Sequence, residues 1–206
     1  MAERADIFAP ADDEQVLRLV LAHPLAWVVS LDGGSFRATP LPLRPRVDGG
    51  RIVAIEGHMA RSNAHCAALQ REGRALILFS GPQGYISPSW VSDRTWAPTW
   101  NYVVVQFLVT IAFDEEPARL DAHLADLAGA MERGRPRAWQ PSEMGARYET
   151  LKRRIVPFVA KVLEQRARFK LGQDERDTVF ADISAALERS GPEALLAWMR
   201  ELNPGR

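Results

Sequence analysis

The chain has 206 residues, 26 Lys and Arg against 26 Asp and Glu, and one cysteine. That length suits one sizeable domain with helical additions, and the interspersed charges exclude both a basic nucleic-acid footprint and an acidic tail. Cys66 alone excludes an intramolecular disulfide and fits a reducing cytosol; it reads as a small buried hydrophobe, with a reactive thiol as the alternative.

In chain order, Asp12 or Asp13 caps a short helix with Val16, Leu17, Val20 and Leu21 on one side, ending before Pro24. The acids Glu3, Asp6, Asp12, Asp13 and Glu14 are foreign to a signal peptide, and no apolar run reaches membrane-spanning length, so the expected location is cytoplasmic. Leu25 to Leu31 is a compact apolar strand, Asp32-Gly33-Gly34 a turn, and Ser35 to Leu43 an alternating strand whose two prolines mark an edge or a bulge. A second turn, Asp48-Gly49-Gly50, leads into a strand from Arg51 to Glu56. Such a meander has edges, which closure into a barrel or pairing with another chain would satisfy.

Gly57-His58-Met59-Ala60-Arg61-Ser62-Asn63 then precedes a helical stretch to about Arg71. Ser62 and Asn63 are good N-cap residues, and a helix start presents free N–H groups and the positive end of the dipole. With Arg61 and His58 beside it, this is a candidate anion pocket; the plain alternative is a capped helix with an exposed arginine and a surface histidine.

Ala75 to Phe79 is a fourth strand. It feeds a segment from Gly81 to Tyr102 that holds three of the six tryptophans and reads as an ordered loop. Tyr85, Trp90, Trp96, Trp100 and Tyr102 each need cover, from the domain's own core, a second subunit or a flat ligand. Ser87 and Ser89 beside Pro88 read as turn hydroxyls rather than catalysts. Tyr102 to Phe113, nearly all apolar, is a fifth strand expected to be buried on both faces or shared with a partner. Leu120, Leu124, Leu127 and Met131 place a helix over Glu116 to Arg133. Trp139-Gln140-Pro141 breaks the chain, Ser142 to about Arg154 is another helix, and Ile155 to Leu171 is a sixth strand. Asp174 to Arg189 is helical, and Ser190-Gly191-Pro192-Glu193 has the pattern of a capping box opening a last helix to about Leu202. His23 and His123 read as boundary and surface residues. No Cys/His cluster has ligand spacing, so no metal site is assigned.

The segments Gly57 to Asn63, Gly81-Pro82-Gln83-Gly84-Tyr85-Ile86-Ser87-Pro88-Ser89-Trp90, Pro98-Thr99-Trp100-Asn101-Tyr102 and Phe169-Lys170-Leu171-Gly172-Gln173 resemble the signature blocks of the PaiB family of FMN-binding negative transcriptional regulators. The resemblance runs from the first helix to about Ile183. It implies an α+β, predominantly antiparallel FMN-binding split β-barrel with flanking helices, as in flavin reductases and pyridoxamine-phosphate oxidases, and a homodimer with FMN at the subunit interface. On this reading residues 1–190 form the split-barrel domain and residues 191–206 a C-terminal helical extension. The implied phosphate pocket falls on Arg61, Ser62 and Asn63 with His58 beside it. The backbone along the flavin ring falls on Ala38, Thr39, Pro40 and Leu41. The aromatic block would close the site with Tyr85, Ser87 and Trp90 on one side and Trp100, Asn101 and Tyr102 on the other, the latter from a second subunit, and Lys170 and Gln173 would reach the flavin or the dimer contact.

The chain also departs from the family pattern. Gln83-Gly84 stands where a His-Ala pair is usual, Gln106 replaces a histidine, Ala64-His65-Cys66 replaces Pro-Gln-Trp, and Gly172-Gln173-Asp174 replaces Ser-Gln-Asn. Two imidazoles near the ring are thereby lost. Three functions follow: a PaiB-type transcriptional or metabolic regulator; a flavin-dependent oxidoreductase acting with NAD(P)H or on a pyridoxamine-phosphate-like substrate; and a dimeric ligand sensor that has lost FMN. DNA is a possible partner for the first, but the neutral balance and the lack of a reader helix do not support direct binding.

Overall fold

The computed structural model describes residues 6–206; Glu3 lies outside them. Thirteen regular elements follow one another: α1 (Asp13–Ala22), β1 (Leu25–Asp32), β2 (Ser35–Pro42), β3 (Arg44–Asp48), β4 (Arg51–Ala60), α2 (Ala64–Glu72), β5 (Arg74–Ile86), β6 (Thr99–Phe113), α3 (Pro117–Glu132), α4 (Ala146–Lys152), β7 (Ile155–Lys170), α5 (Asp177–Ser190) and α6 (Glu193–Leu202). The chain divides into two compact units. One comprises Leu17–Phe79 and Gln106–Gln165; the other comprises the described part of Met1–Val16, Ser80–Val105 and Arg166–Arg206.

In the first unit seven strands form one sheet in the order β2-β1-β5-β6-β7-β4-β3. β1 and β2 are a hairpin in full register from Leu25 opposite Pro42 to Asp32 opposite Ser35. Its turn needs Gly33 and Gly34, whose φ angles of 57° and 87° disfavour any residue with a Cβ. Residues opposite one another share a face. Ala26, Val28 and Ser30 are turned into the core, whereas Leu25, Trp27 and Leu31 are 64, 50 and 51% exposed and Phe36 is 79% exposed. β4 pairs antiparallel with β7 from Ala54 opposite Lys161 to Ala60 opposite Ile155. Gly57 is required in β4 because a Cβ there would stand 2.4 Å from Leu43 Cδ2 and 2.7 Å from Phe158 Cζ, both fully enclosed side chains. Phe79 meets Phe107 and Phe113 meets Phe158 edge to face, at 5.9 and 5.8 Å.

The second unit holds the far ends of β5 and β7, the near end of β6, and α5 and α6. Its core gathers Phe169, Leu171, Phe180, Leu195 and Met199, with Phe169 and Trp198 edge to face at 5.4 Å. A Cβ on Gly84 would fall 2.9 Å from Leu195 Cδ2. The glycine in place of the usual alanine is thus explained by how closely α6 approaches β5.

Four expectations need correcting. The segment from Gly81 is not loop at its start, because β5 runs through Gly81, Pro82, Gln83 and Gly84 to Ile86. β1 pairs with β5 only from Leu76 to Leu78, so Pro82 lies beyond that ladder and its missing N–H breaks no bond to β1. β3 adds a seventh strand, with a register shift between Arg46 and Val47. Of the two readings of β6, burial on both faces within one chain gives way, since it is fully buried on one face only, at Val103, Val105, Phe107, Val109 and Ile111. The last helix starts behind Pro192 with no side-chain cap, so the capping box does not form. Among the described residues no helix is long and apolar enough to cross a membrane.

Candidate functional site

The turn between β4 and α2 is set by its own residues. Asn63 is the N-cap of α2, in extended backbone, with its Oδ1 accepting from the His65 N–H at 2.9 Å. Its amide Nδ2 donates to Thr39 Oγ1 at 3.3 Å, so two residues placed in the site from the sequence, one on β2 and one in the turn, touch. Ser62 is exposed beside them. Arg61 is held by backbone and side chain: its N–H donates to Arg154 O at 2.9 Å, and its Nε to Ile155 O at 3.1 Å. The rest of the guanidinium forms a fork with Glu115, Nη1 to Oε1 at 3.0 Å and Nη2 to Oε2 at 2.9 Å. That hydrogen-bonded pair raises the Arg61 pKa and lowers that of Glu115.

Behind Thr39 lies a histidine that the sequence did not mark. His65 is 2% exposed, with Nε2 2.9 Å from Ser30 Oγ and Nδ1 2.8 Å from Thr39 Oγ1. Burial, with the charge of Arg37 next, lowers the pKa of this imidazole and so favours its neutral form. A neutral ring donates from one nitrogen and accepts at the other, so the chain Asn63, Thr39, His65, Ser30 forms one polar network that sets the Thr39 hydroxyl. Thr39 holds the ring from its other side, but Ser30 is itself buried and out of reach of a substrate, so the arrangement positions rather than catalyses.

His58 turns away from this network. Its Nδ1 lies 3.0 Å from His123 Nε2 on α3, with the rings 5.2 Å apart and inclined at 66°. His123 is 6% exposed, which corrects its reading as a surface residue, and its Nδ1 has no hydrogen-bond partner among the described residues. Burial lowers the pKa of both rings, that of His123 to about 4.

In the second unit Tyr85 and Trp100 face each other at 5.9 Å, each 47% exposed, and Trp100 Nε1 donates to Gln83 Oε1 at 2.6 Å. Ser80, Gly81, Gln83, Trp100 and Tyr102 line a cavity of about 270 Å³. The rest of the aromatic segment is pinned down. Trp96 Nε1 donates to Glu175 at 2.8 Å, and Ser92 donates from both its N–H and its hydroxyl to Asp182. Asn101 is buried with its amide on Met199 Sδ at 3.5 Å, Lys170 donates to the Thr99 hydroxyl, and Gln173 closes a local turn on Phe169 and Leu171.

A family profile described as "Putative FMN-binding domain" matches residues 4–164. The chain belongs to this family. Within it, the PaiB-type assignment rests on a relative from Bacillus subtilis (strain 168), protease synthase and sporulation protein PAI 2, which is 29% identical over 183 residues covering 88% of this chain and 86% of that protein. Among solved structures the FAD and haem binding protein of Mycobacterium smegmatis superposes with a TM-score of 0.61 at 16% identity, over 85% of this chain and 78% of that one. The flavocytochrome Anf3 of Azotobacter vinelandii does so with a TM-score of 0.59 at 17% identity, over 83 and 73%. These likenesses show the fold, an α+β split β-barrel, and the family makes FMN the cofactor of this PaiB-type protein.

The residues fit that cofactor. The Arg61 side chain is 42% exposed and its partner Glu115 67% exposed. An ion pair so open to water contributes little net stability, less than the charge-assisted hydrogen bonds a phosphate dianion offers the same fork. The guanidinium is therefore recruitable. β2 stands first in the sheet, so among the described residues one edge of Ala38 to Leu41 has no neighbouring strand to pair with.

Proposed function

We infer that this PaiB-type protein works as a homodimeric regulator whose state is set by FMN. The observation that carries the reading is the Asn63 to Thr39 hydrogen bond, which ties the Arg61-Ser62-Asn63 turn to an edge strand with an exposed apolar face. That face is continuous: Leu25, Trp27, Val29 and Leu31 of β1 stand opposite Pro42, Pro40, Ala38 and Phe36 of β2. An uncovered apolar sheet face of this kind is what a second subunit buries. Arg61, Ser62 and the backbone of Ala38 to Leu41 are the groups proposed to hold FMN at that contact. Tyr85 and Trp100, half exposed and already in mutual contact, are proposed to offer ring surface to a second subunit. FMN, when bound, supplies hydride and single-electron chemistry; the chain's own part is to bind it, orient it and exclude water. The regulatory role follows from the name of the PAI 2 relative, which ties that protein to protease synthesis and sporulation.

The test is the visible absorbance of the protein after incubation with FMN and removal of the unbound fraction, alongside sedimentation. One flavin per chain in a dimer is expected. Arg61→Ala should weaken FMN binding by about 2 to 3 kcal/mol, and Trp27→Asp should give monomers. Full flavin retention in Arg61→Ala would move the phosphate elsewhere, and a Trp27→Asp dimer would move the interface.

A further inference from the structure

The helices between β6 and β7 line an open cavity whose side chains have no part in the flavin reading. α3 supplies Leu124, Leu127 and Met131, a 3₁₀ turn at Pro141–Met144 supplies Met144, and α4 supplies Leu151, leaving about 400 Å³. That is within the range of small-molecule pockets. Trp139 forms part of its wall and is 41% exposed, as is Met131. The two charged side chains in the wall are both cations, Lys152 and Arg154. Lys152 lies with its stem against the cavity, 12% exposed, and its ammonium is 2.8 Å from Asp121 and 3.0 Å from Glu149, neither of which lines the cavity. Arg154 is exposed, and its guanidinium has no ion-pair partner among the described residues.

The composition selects the occupant. The apolar walls favour a ring or a branched chain of matching size. A cationic ligand would meet two like charges with no carboxylate in the wall, and a neutral one would leave the Arg154 fork in water. A carboxylate at the mouth accepts a forked pair from Arg154 at the edge of a low-dielectric surface, where such a pair is stronger than in open water. We propose that this cavity is a binding site for a small carboxylic acid with an aromatic or branched aliphatic body.

The probe is 2-naphthoate, with uncharged 2-naphthamide as its control, titrated by calorimetry into the full chain with and without FMN. Saturable one-to-one binding of naphthoate is expected, about tenfold tighter than the amide, equivalent to about 1.4 kcal/mol. Arg154→Gln should bring the two affinities together. Ala128→Phe, which fills the cavity, should abolish binding of both while the circular dichroism and the retained FMN stay as in the parent. No saturable binding to the folded protein, equal affinities in the parent, or binding that survives Ala128→Phe would each overturn the proposal. So would an Ala128→Phe variant that changes sedimentation and leaves probe binding intact, which would give this face to a second copy. Flavin retention is read separately by its own absorbance, so loss of one site is distinguishable from loss of the other.

Discussion

Burial of His123, with His58 beside it, should make the stability of this protein fall on mild acidification. The folded His123 has its pKa pushed down to about 4, from 6.5 in the unfolded chain, chiefly by burial. Between those values the unfolded chain binds a proton that the folded one refuses, so stability falls as pH falls from above 6.5 toward 4 and levels off below. From about pH 7.5 to about pH 5 this single group removes about 2 kcal/mol, and the complete shift sets a ceiling of about 3 kcal/mol. The two rings share one hydrogen bond, and Asp126 and Arg44, whose charges also act on His123, are paired with each other at 2.8 Å. The assay is urea unfolding across that pH range for the parent and for His123→Leu. The variant should lose about 2 kcal/mol less than the parent over the same interval. His23 and His65 also have lowered pKa values, so some slope remains in both proteins, and the difference reports His123 together with its partner His58. Equal slopes would refute the argument, because the ring would then titrate alike in both states.

Three further outcomes are expected. Glu115→Gln frees the Arg61 fork from its competitor and should tighten FMN by about twofold to fivefold, the equivalent of an exposed ion pair; fluorescence titration with FMN checks it, and weaker binding would show that Glu115 helps rather than competes. Gly57→Ala forces a methyl group to within 2.4 Å of Leu43 Cδ2 and should cost about 1 to 3 kcal/mol in thermal unfolding, whereas Gly129→Ala, with open space at its Cβ position, should not destabilise. Asn63→Ala removes both the cap of α2 and the hydrogen bond to Thr39. It should cost about 1 kcal/mol of stability and weaken FMN as well, and a loss of stability with unchanged flavin affinity would confine Asn63 to capping.

Local chemistry made much of the fold readable. The Gly-Gly turns marked the hairpins, and the apolar spacing of residues 120–131 marked α3. β3 escaped because Arg44-Pro45-Arg46-Val47-Asp48 has no apolar alternation; it is an edge strand held by β4, and its partner decides it. Gly81 to Ile86 carries turn residues yet is strand, since pairing between distant segments outweighs local preference. Of the candidate site, the Arg61 to Asn63 turn was visible because capping is local. His65 was not, since Ser30 and Thr39 are 35 and 26 positions away and no spacing announces them. The spacing of α3 does mark His123, three residues after Leu120 and one before Leu124, on the apolar stripe that faces β4.

The antiparallel match of β4 to β7 has a kinetic meaning. Ala60 meets Ile155, about 95 positions further along, and the same junction is fastened by Arg61 on the carbonyls of Arg154 and Ile155. The intervening chain must be drawn into a loop before that ladder yields any of its hydrogen bonds, whereas the β1–β2 hairpin closes over two glycines. A chain organised this way places its slowest encounter late and belongs with the high-contact-order proteins that refold in milliseconds to seconds rather than microseconds. Until β7 arrives, β4 keeps an open edge, and a nascent chain is then most prone to pair with a neighbour instead of with itself.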